Sequence, residues 1–286
     1  MKTSLKWPVL AVLLCAPLTA EAHRVWMLPS ATVLSGDDVW ITVDAAVSND
    51  LFYFEHFPLQ IANLGSTSAA PQGVRGRAGQ LSVTAPDGST IPHQNGSIGR
   101  YRSTFDVQLT QKGTYKIAVL NSGVFASYKE GGQTKRWSGA AEDYAAAIPA
   151  NVEDLRSTYT QTRMEVFVTS GKPTTDTLKV TGSGLELSPV THPNDLVAGT
   201  PATFKLMLDG KPAPDLQVTV IAGGNRYRDK LGEMSLTTDQ DGKFSVSWPT
   251  PGMYWMEAVV RDDKTPVKEL KQRRAAYVAT LEVLPP

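Results

Sequence analysis

Cysteine is nearly absent from this 286-residue chain: Cys15 stands alone, inside a segment that reads as a removable leader. Without it, disulfides and thiolate metal sites are excluded whatever the redox compartment. Net charge is lacking too. Lys+Arg and Asp+Glu are both 28, so no field of either sign is available to hold a polyanion, and nucleic acid is excluded as a partner. Beyond residue 22 no stretch approaches the ~20 apolar residues of a membrane helix, so no membrane anchor is expected after processing. Catalytic signatures are also missing: there is no HExxH, EF-hand loop, P-loop, GxSxG elbow or GxGxxG between strand and helix.

What is present begins with a secretory signal over residues 1–22. Lys2 and Lys6 form its basic end, Val9 to Leu18 its short apolar core, and Ala20-Glu21-Ala22 its small-residue cleavage site. Cys15 follows Leu14, where a lipoprotein site needs a small residue. The mature chain is therefore expected to start at His23 and to be periplasmic.

From position 30 onward, period-two segments dominate. Val39–Val43, Leu81–Val83, Tyr101–Leu109, Tyr115–Leu120 and Met164–Val168 read as strands, followed by Ala202–Leu208, Leu216–Ile221, Phe244–Trp248, Tyr254–Val260 and Ala276–Leu284. Only Ala140–Ile148, stopped by Pro149, looks helical. The breaker-rich run Ser170–Thr175 marks a boundary, giving an N-terminal domain over 23–170 and a C-terminal domain over 171–286. The fold class is all-β, two β-sandwich domains in tandem (immunoglobulin-like and prealbumin-like) with little helix. A weak repeat supports this: Phe105, Gly113 and Tyr115 match Phe244, Gly252 and Tyr254 at equal offsets. A Tyr opening a late sandwich strand can tie its hydroxyl to the backbone at a corner.

With no cysteine left, a transition-metal site must use imidazole, carboxylate or the amino terminus. Cleavage after Ala22 gives His23 both a free α-amine and an imidazole Nδ1, a chelating pair that titrates near ~7.7–8.0 and ~6.5 in model peptides. Cleavage after Ala20 would instead place His23 third, also a Cu(II) or Ni(II) arrangement. The competing reading is a surface His that happens to follow a signal. His56 sits in the aromatic segment Leu51–Pro58, with Glu55 and Asp50 in position to support it; otherwise it belongs to an aromatic cluster. His192 lies on a loop stiffened by Pro189 and Pro193, either turned toward the other domain or exposed. His93 reads as an exposed hairpin-tip residue. Arg75/Arg77 and Arg273/Arg274 read as solvated edges. Trp40, Trp248 and Trp255 are assigned to the core, while Trp26 and Trp137 are candidates for lining a site near the terminus.

The segments His23–Pro29, Ser48–His56, Pro189–Leu196, Asp241–Phe244 and Tyr254-Trp255 resemble a family of bacterial periplasmic proteins of unknown function, often described as periplasmic components of nickel/cobalt uptake systems. The resemblance covers essentially the whole mature chain. It implies a secreted β-sandwich protein whose amino-terminal His takes part in metal binding, and it carries to His23, His56 and His192. Arg24 departs from the aliphatic or aromatic residue usual after the first His. The turn Asp239–Phe244 followed by Pro251–Tyr254 resembles prealbumin-like accessory modules, which favours the absence of catalysis.

Three functions follow. The first is a non-enzymatic periplasmic protein that binds a divalent transition metal (Ni, Co or Cu) through His23, His56 and His192 and serves a membrane metal transporter. Asp50, Glu55 and Trp26 would support those ligands. The second is a structural or adhesive module binding protein or glycan. The third is a copper oxygenase acting on a polysaccharide through the amino-terminal His.

Overall fold

A computed structural model describes residues 23–65 and 78–286. The expected signal segment and the pair Arg75/Arg77 lie outside the described residues. The principal strands are β1 (Arg24–Pro29), β2 (Trp40–Ser48), β3 (Gln80–Thr84), β4 (Gln94–Ile98), β5 (Ser103–Gln108), β6 (Gly113–Glu130) and β7 (Gln133–Gly139). A four-residue helix α1 (Tyr144–Ala147) follows, then β8 (Glu153–Ser170), β9 (Leu185–Pro189), β10 (Pro201–Leu208) and β11 (Gln217–Ala222). The last are β12 (Met234–Thr237), β13 (Lys243–Ser247), β14 (Gly252–Asp262) and β15 (Arg273–Val283). The protein is an all-β sandwich, and each predicted strand segment falls on a strand.

Three sheets are stacked. A front sheet runs β1-β2-β5-β4, and a back sheet holds β9 and β13 on either side of β10. Between them lies one long sheet, β12-β11-β14-β15-β8-β6-β3, with β7 added alongside β6. Its two ends come from different halves of the chain, and they meet where β8 pairs with β15 in parallel, Tyr159 opposite Arg273 through Val166 opposite Thr280. Parallel partners cannot be joined by a hairpin. Here the connection is most of the C-terminal half.

The period of two explains how one sheet serves two cores. From β8, Met164, Val166 and Val168 enter the core behind the front sheet, whereas Phe167 enters the core against the back sheet. β15 divides likewise, sending Val278 to the first core and Tyr277, Ala279 and Leu281 to the second. Both faces are therefore dry, which is why Ala275–Val283 is almost unbroken in burial. Each core draws on both halves of the chain, Ile221, Trp255 and Val278 entering the first and Phe167 the second, and Ser170–Gly171 is a turn off the shared sheet.

The repeat has a structural meaning. Tyr115 Oη accepts the Gln111 N–H at 2.6 Å and donates to the Gln111 carbonyl, and Tyr254 Oη does the same with Thr250, also four residues upstream. Gly113 and Gly252 both take positive φ, 130° and 134°, a conformation open to glycine that turns the chain into each Tyr-bearing strand.

Several sequence expectations are corrected. The helix is confined to Tyr144–Ala147. Trp40 is 38% exposed, its indole N–H held by Asp38. His93 is half-buried with its ring edge-on to Phe105. Arg273 is not a solvated edge residue: β15 is paired on both sides, and the guanidinium is buried between Asp209 and Asp262. The outer halves of β6 and β8 had too little apolar alternation to be read as strand; beyond Leu120 they form a ribbon that, with β7, extends past the main cores.

Candidate metal site

The site is set by strand register. Arg24 pairs with Ser48 at the end of β2, so His23 lies just past that end on one side. The chain then loops through residues 49–56, and Phe57 pairs back with Val47 on the other side of β2. His56 is thereby placed across the strand end from His23. Their ring centroids are 4.2 Å apart and tilted by 52°. Phe57 backs both rings, stacked on His56 at 5.5 Å and 6.4 Å from His23.

The loop is held from beneath. Glu55 Oε1 accepts the N–H groups of Asn49 and Asp50 at 2.8 and 3.0 Å. Burial pushes the Glu55 carboxyl up, but those two N–H groups, with nearby His56 and Arg226, outweigh it and hold the carboxyl below its ordinary range. Asp50 turns away from the histidines, accepting from Asn225 at 3.1 Å and pairing with Arg226 at 3.2 Å. Asn225 Oδ1 in turn accepts the Leu51 N–H. Phe52 is strained at φ 61°, and its ring lies so close to Gly223 that a Cβ there would stand 2.9 Å from it. Strain of this kind persists only where the surroundings enforce it. Trp26 is fully buried, donating to Ser48 Oγ at 2.7 Å and packing against Phe52 and Phe54. Trp26, Asp50 and Glu55 thus fix the platform and leave the two imidazoles clear.

His192 is not brought to the other two histidines. It does reach the N-terminal half, where its Nε2 lies 3.1 Å from both Thr114 Oγ1 and the Thr174 carbonyl, while Nδ1 accepts the Asn194 N–H. Thr114 leads through Thr169 to Thr32, beyond the far end of β1 from His23. Six strand residues intervene, a separation on the order of 20 Å, and both ring nitrogens are already engaged. Trp137 is likewise not at the terminus, since it packs on Tyr144 in a separate small cluster.

Asn49 was missed by the sequence reading. Its Nδ2 is 3.4 Å from His56 Nε2, while its Oδ1 is buried without a hydrogen-bond partner among the described residues. The amide and the imidazole thus share one hydrogen bond, whose direction follows the His56 tautomer. Only the placement of β2 beside the loop reveals this. Among the described residues no three His, Cys, Asp or Glu side chains cluster for a metal. The donors that His23 and His56 bring together are two imidazoles.

The family profile named "Domain of unknown function (DUF4198)" matches residues 20–262. The chain belongs to this family. No curated protein sequence matches this DUF4198 member. Among solved structures, trypsin-activated alpha-2-macroglobulin from Escherichia coli is similar at 12% identity and a TM-score of 0.22, over 91% of this chain and 16% of that one. The D0-D1 domain of intimin is similar at 13% identity and a TM-score of 0.22, covering 90% of this chain and 97% of that one. A marsupial T cell receptor gives 11%, a TM-score of 0.20, and coverage of 92% and 74%. The DUF4198 chain spans only 16% of the macroglobulin's length. No helix among its described residues is long and apolar enough to cross a membrane.

Proposed function

We propose that this DUF4198 protein is a periplasmic, non-enzymatic binder of a divalent transition metal, Ni(II), Co(II) or Cu(II), acting as an accessory to a membrane metal transporter. The observation that carries the reading is the 4.2 Å approach of the His23 and His56 rings at the mature terminus. Nδ1 and the α-amine of His23 would hold the ion with one nitrogen of His56, a nitrogen-only donor set suited to Cu(II) and Ni(II). The metal is cargo here, and Glu55, Asn225 and Arg226 keep the loop shaped to receive and release it.

Calorimetry with Ni(II), Co(II) and Cu(II) tests this on signal-processed protein, on a version with residues retained before His23, and on His23→Ala and His56→Ala. Tight binding should survive in the processed protein alone. Equal affinity in all four would remove the pair from the function.

A further inference from the structure

The ribbon of β6, β7 and β8 carries a second site, independent of the histidines. One of its faces packs on α1: Val124, Ala126 and Tyr159 cluster with Tyr144 and Leu270. The opposite face is open and supplies most of the lining of a cavity of about 910 Å³, to which Ala126 and Trp137 also contribute, within the size range of small-ligand sites. Register fixes what that face displays. Arg136, Ser127 and Arg156 form one row across the three strands, and Ser138, Phe125 and Thr158 form the next.

Those side chains are an unusual set for a merely solvated face. Arg163, Arg226, Arg273 and Arg274 each meet a carboxylate. Arg136 has no hydrogen-bond or ion-pair partner among the described residues, and Arg156 has only the field of Asp154, whose carboxylate is already paired with Lys129. No acidic residue lines the cavity. The two arginines stand two strand spacings apart, about 10 Å, facing one another across Ser127. Phe125 is 44% exposed beside them, an apolar ring in a surround of hydroxyls and guanidinium groups.

We propose that this face binds an acidic glycan segment, whose sugar rings carry carboxylates. Carboxylates on a stiff chain would bridge the two guanidinium groups, which accept such groups in a planar, two-point fashion. The apolar face of a sugar ring would rest on Phe125, its hydroxyls exchanging hydrogen bonds with Ser127, Ser138 and Thr158. A second copy of the chain is disfavoured, because like faces would set arginine against arginine. A lipid chain would need more apolar surface than Phe125, Trp137 and Ala126 offer among arginines and hydroxyls. An acidic peptide satisfies the arginines but has no use for the aromatic ring.

Full-length processed protein would be titrated calorimetrically with a hexamer of uronic acid residues, a neutral glucose hexamer and hexaglutamate. The uronate hexamer should bind, more weakly as salt rises, with the neutral hexamer showing no binding. Arg136→Gln and Arg156→Gln should each weaken binding about tenfold, the weight of one charged hydrogen-bonded contact, and Phe125→Ser by a similar factor. His23→Ala should leave it unchanged, which separates this site from the metal reading. All three substitutions fall on the open face, and unchanged circular dichroism and melting would confirm the fold. No binding of the uronate hexamer overturns the proposal. So does equal binding of the neutral hexamer, or hexaglutamate binding as tightly with Phe125→Ser without effect, which would mark a peptide or plain charge surface.

Discussion

Arg226, from the C-terminal half, pairs with Asp50 at 3.2 Å while its guanidinium lies 4.0 Å over the Tyr53 ring, so the loop that presents His56 is clamped by the other half of the chain. Asn225 completes the clamp by receiving the Leu51 N–H and donating to Asp50. The loop of the N-terminal half is thus held in part by residues of the C-terminal half.

The first prediction concerns that clamp. Asn225→Ala strands the buried Leu51 N–H, and should lower stability by about 1–3 kcal/mol while weakening metal binding without removing any donor. Arg226→Ala, a half-exposed pair, should cost under about 1 kcal/mol. Thermal melts paired with metal titrations check both, and unchanged metal affinity in Asn225→Ala would show that the clamp does not shape the site.

His192→Ala should separate stability from metal binding. Removing the ring leaves the Asn194 N–H and the Thr174 carbonyl without their partner, so the melting temperature should fall, by about 1–3 kcal/mol in stability. Affinity for Cu(II) or Ni(II) should match the unsubstituted protein. A loss comparable to that of His23→Ala would return His192 to the site.

The two tyrosine corners give an internal control. Tyr115→Phe and Tyr254→Phe each delete a hydroxyl that both accepts from and donates to the backbone, and each should cost about 1–3 kcal/mol in urea unfolding. Costs near zero would mean that the Gly113 and Gly252 turns hold without them.

Acid should loosen the join between β14, β15 and the turn after β10. Hydrogen bonds from Arg273 hold the carboxyls of both Asp209 and Asp262 below their usual value, against the upward push of burial. A carboxyl lowered by folding stabilises the protein above its unfolded pKa, and that stability is lost as pH falls through the lower folded one. Stability contributed here should therefore be complete near neutrality and disappear below about pH 4. Arg273→Met should cost about 2–3 kcal/mol, less than breaking a fully buried pair because both aspartates keep some solvent, and should flatten the acid limb of the stability profile.

How much could be read in advance depended on the range of the interaction. Alternation fixed the strands because each strand's own residues decide which side is dry, and the eight- and ten-residue offsets located both corners because a corner closes within four residues. The segment Ala276–Leu284 reads as a strand, but its alternation does not show that it is dry on both faces. His23 and His56 were named from chemistry, one by its place after a cleavage site and one by its aromatic setting.

Tertiary structure alone decided which histidines meet. Thirty-two positions separate His23 from His56, and only the shared pairing of their flanking residues to the end of β2 brings the rings together. The same pairing exposed Asn49. His192 looked equivalent in sequence, yet its loop docks at the opposite end of β1, because the parallel match of β8 with β15 fixes where the C-terminal half can sit. That match joins residues more than a hundred positions apart, and no local pattern encodes it: parallel register is chosen by which two dry faces fit, a property of the assembled cores and not of either strand.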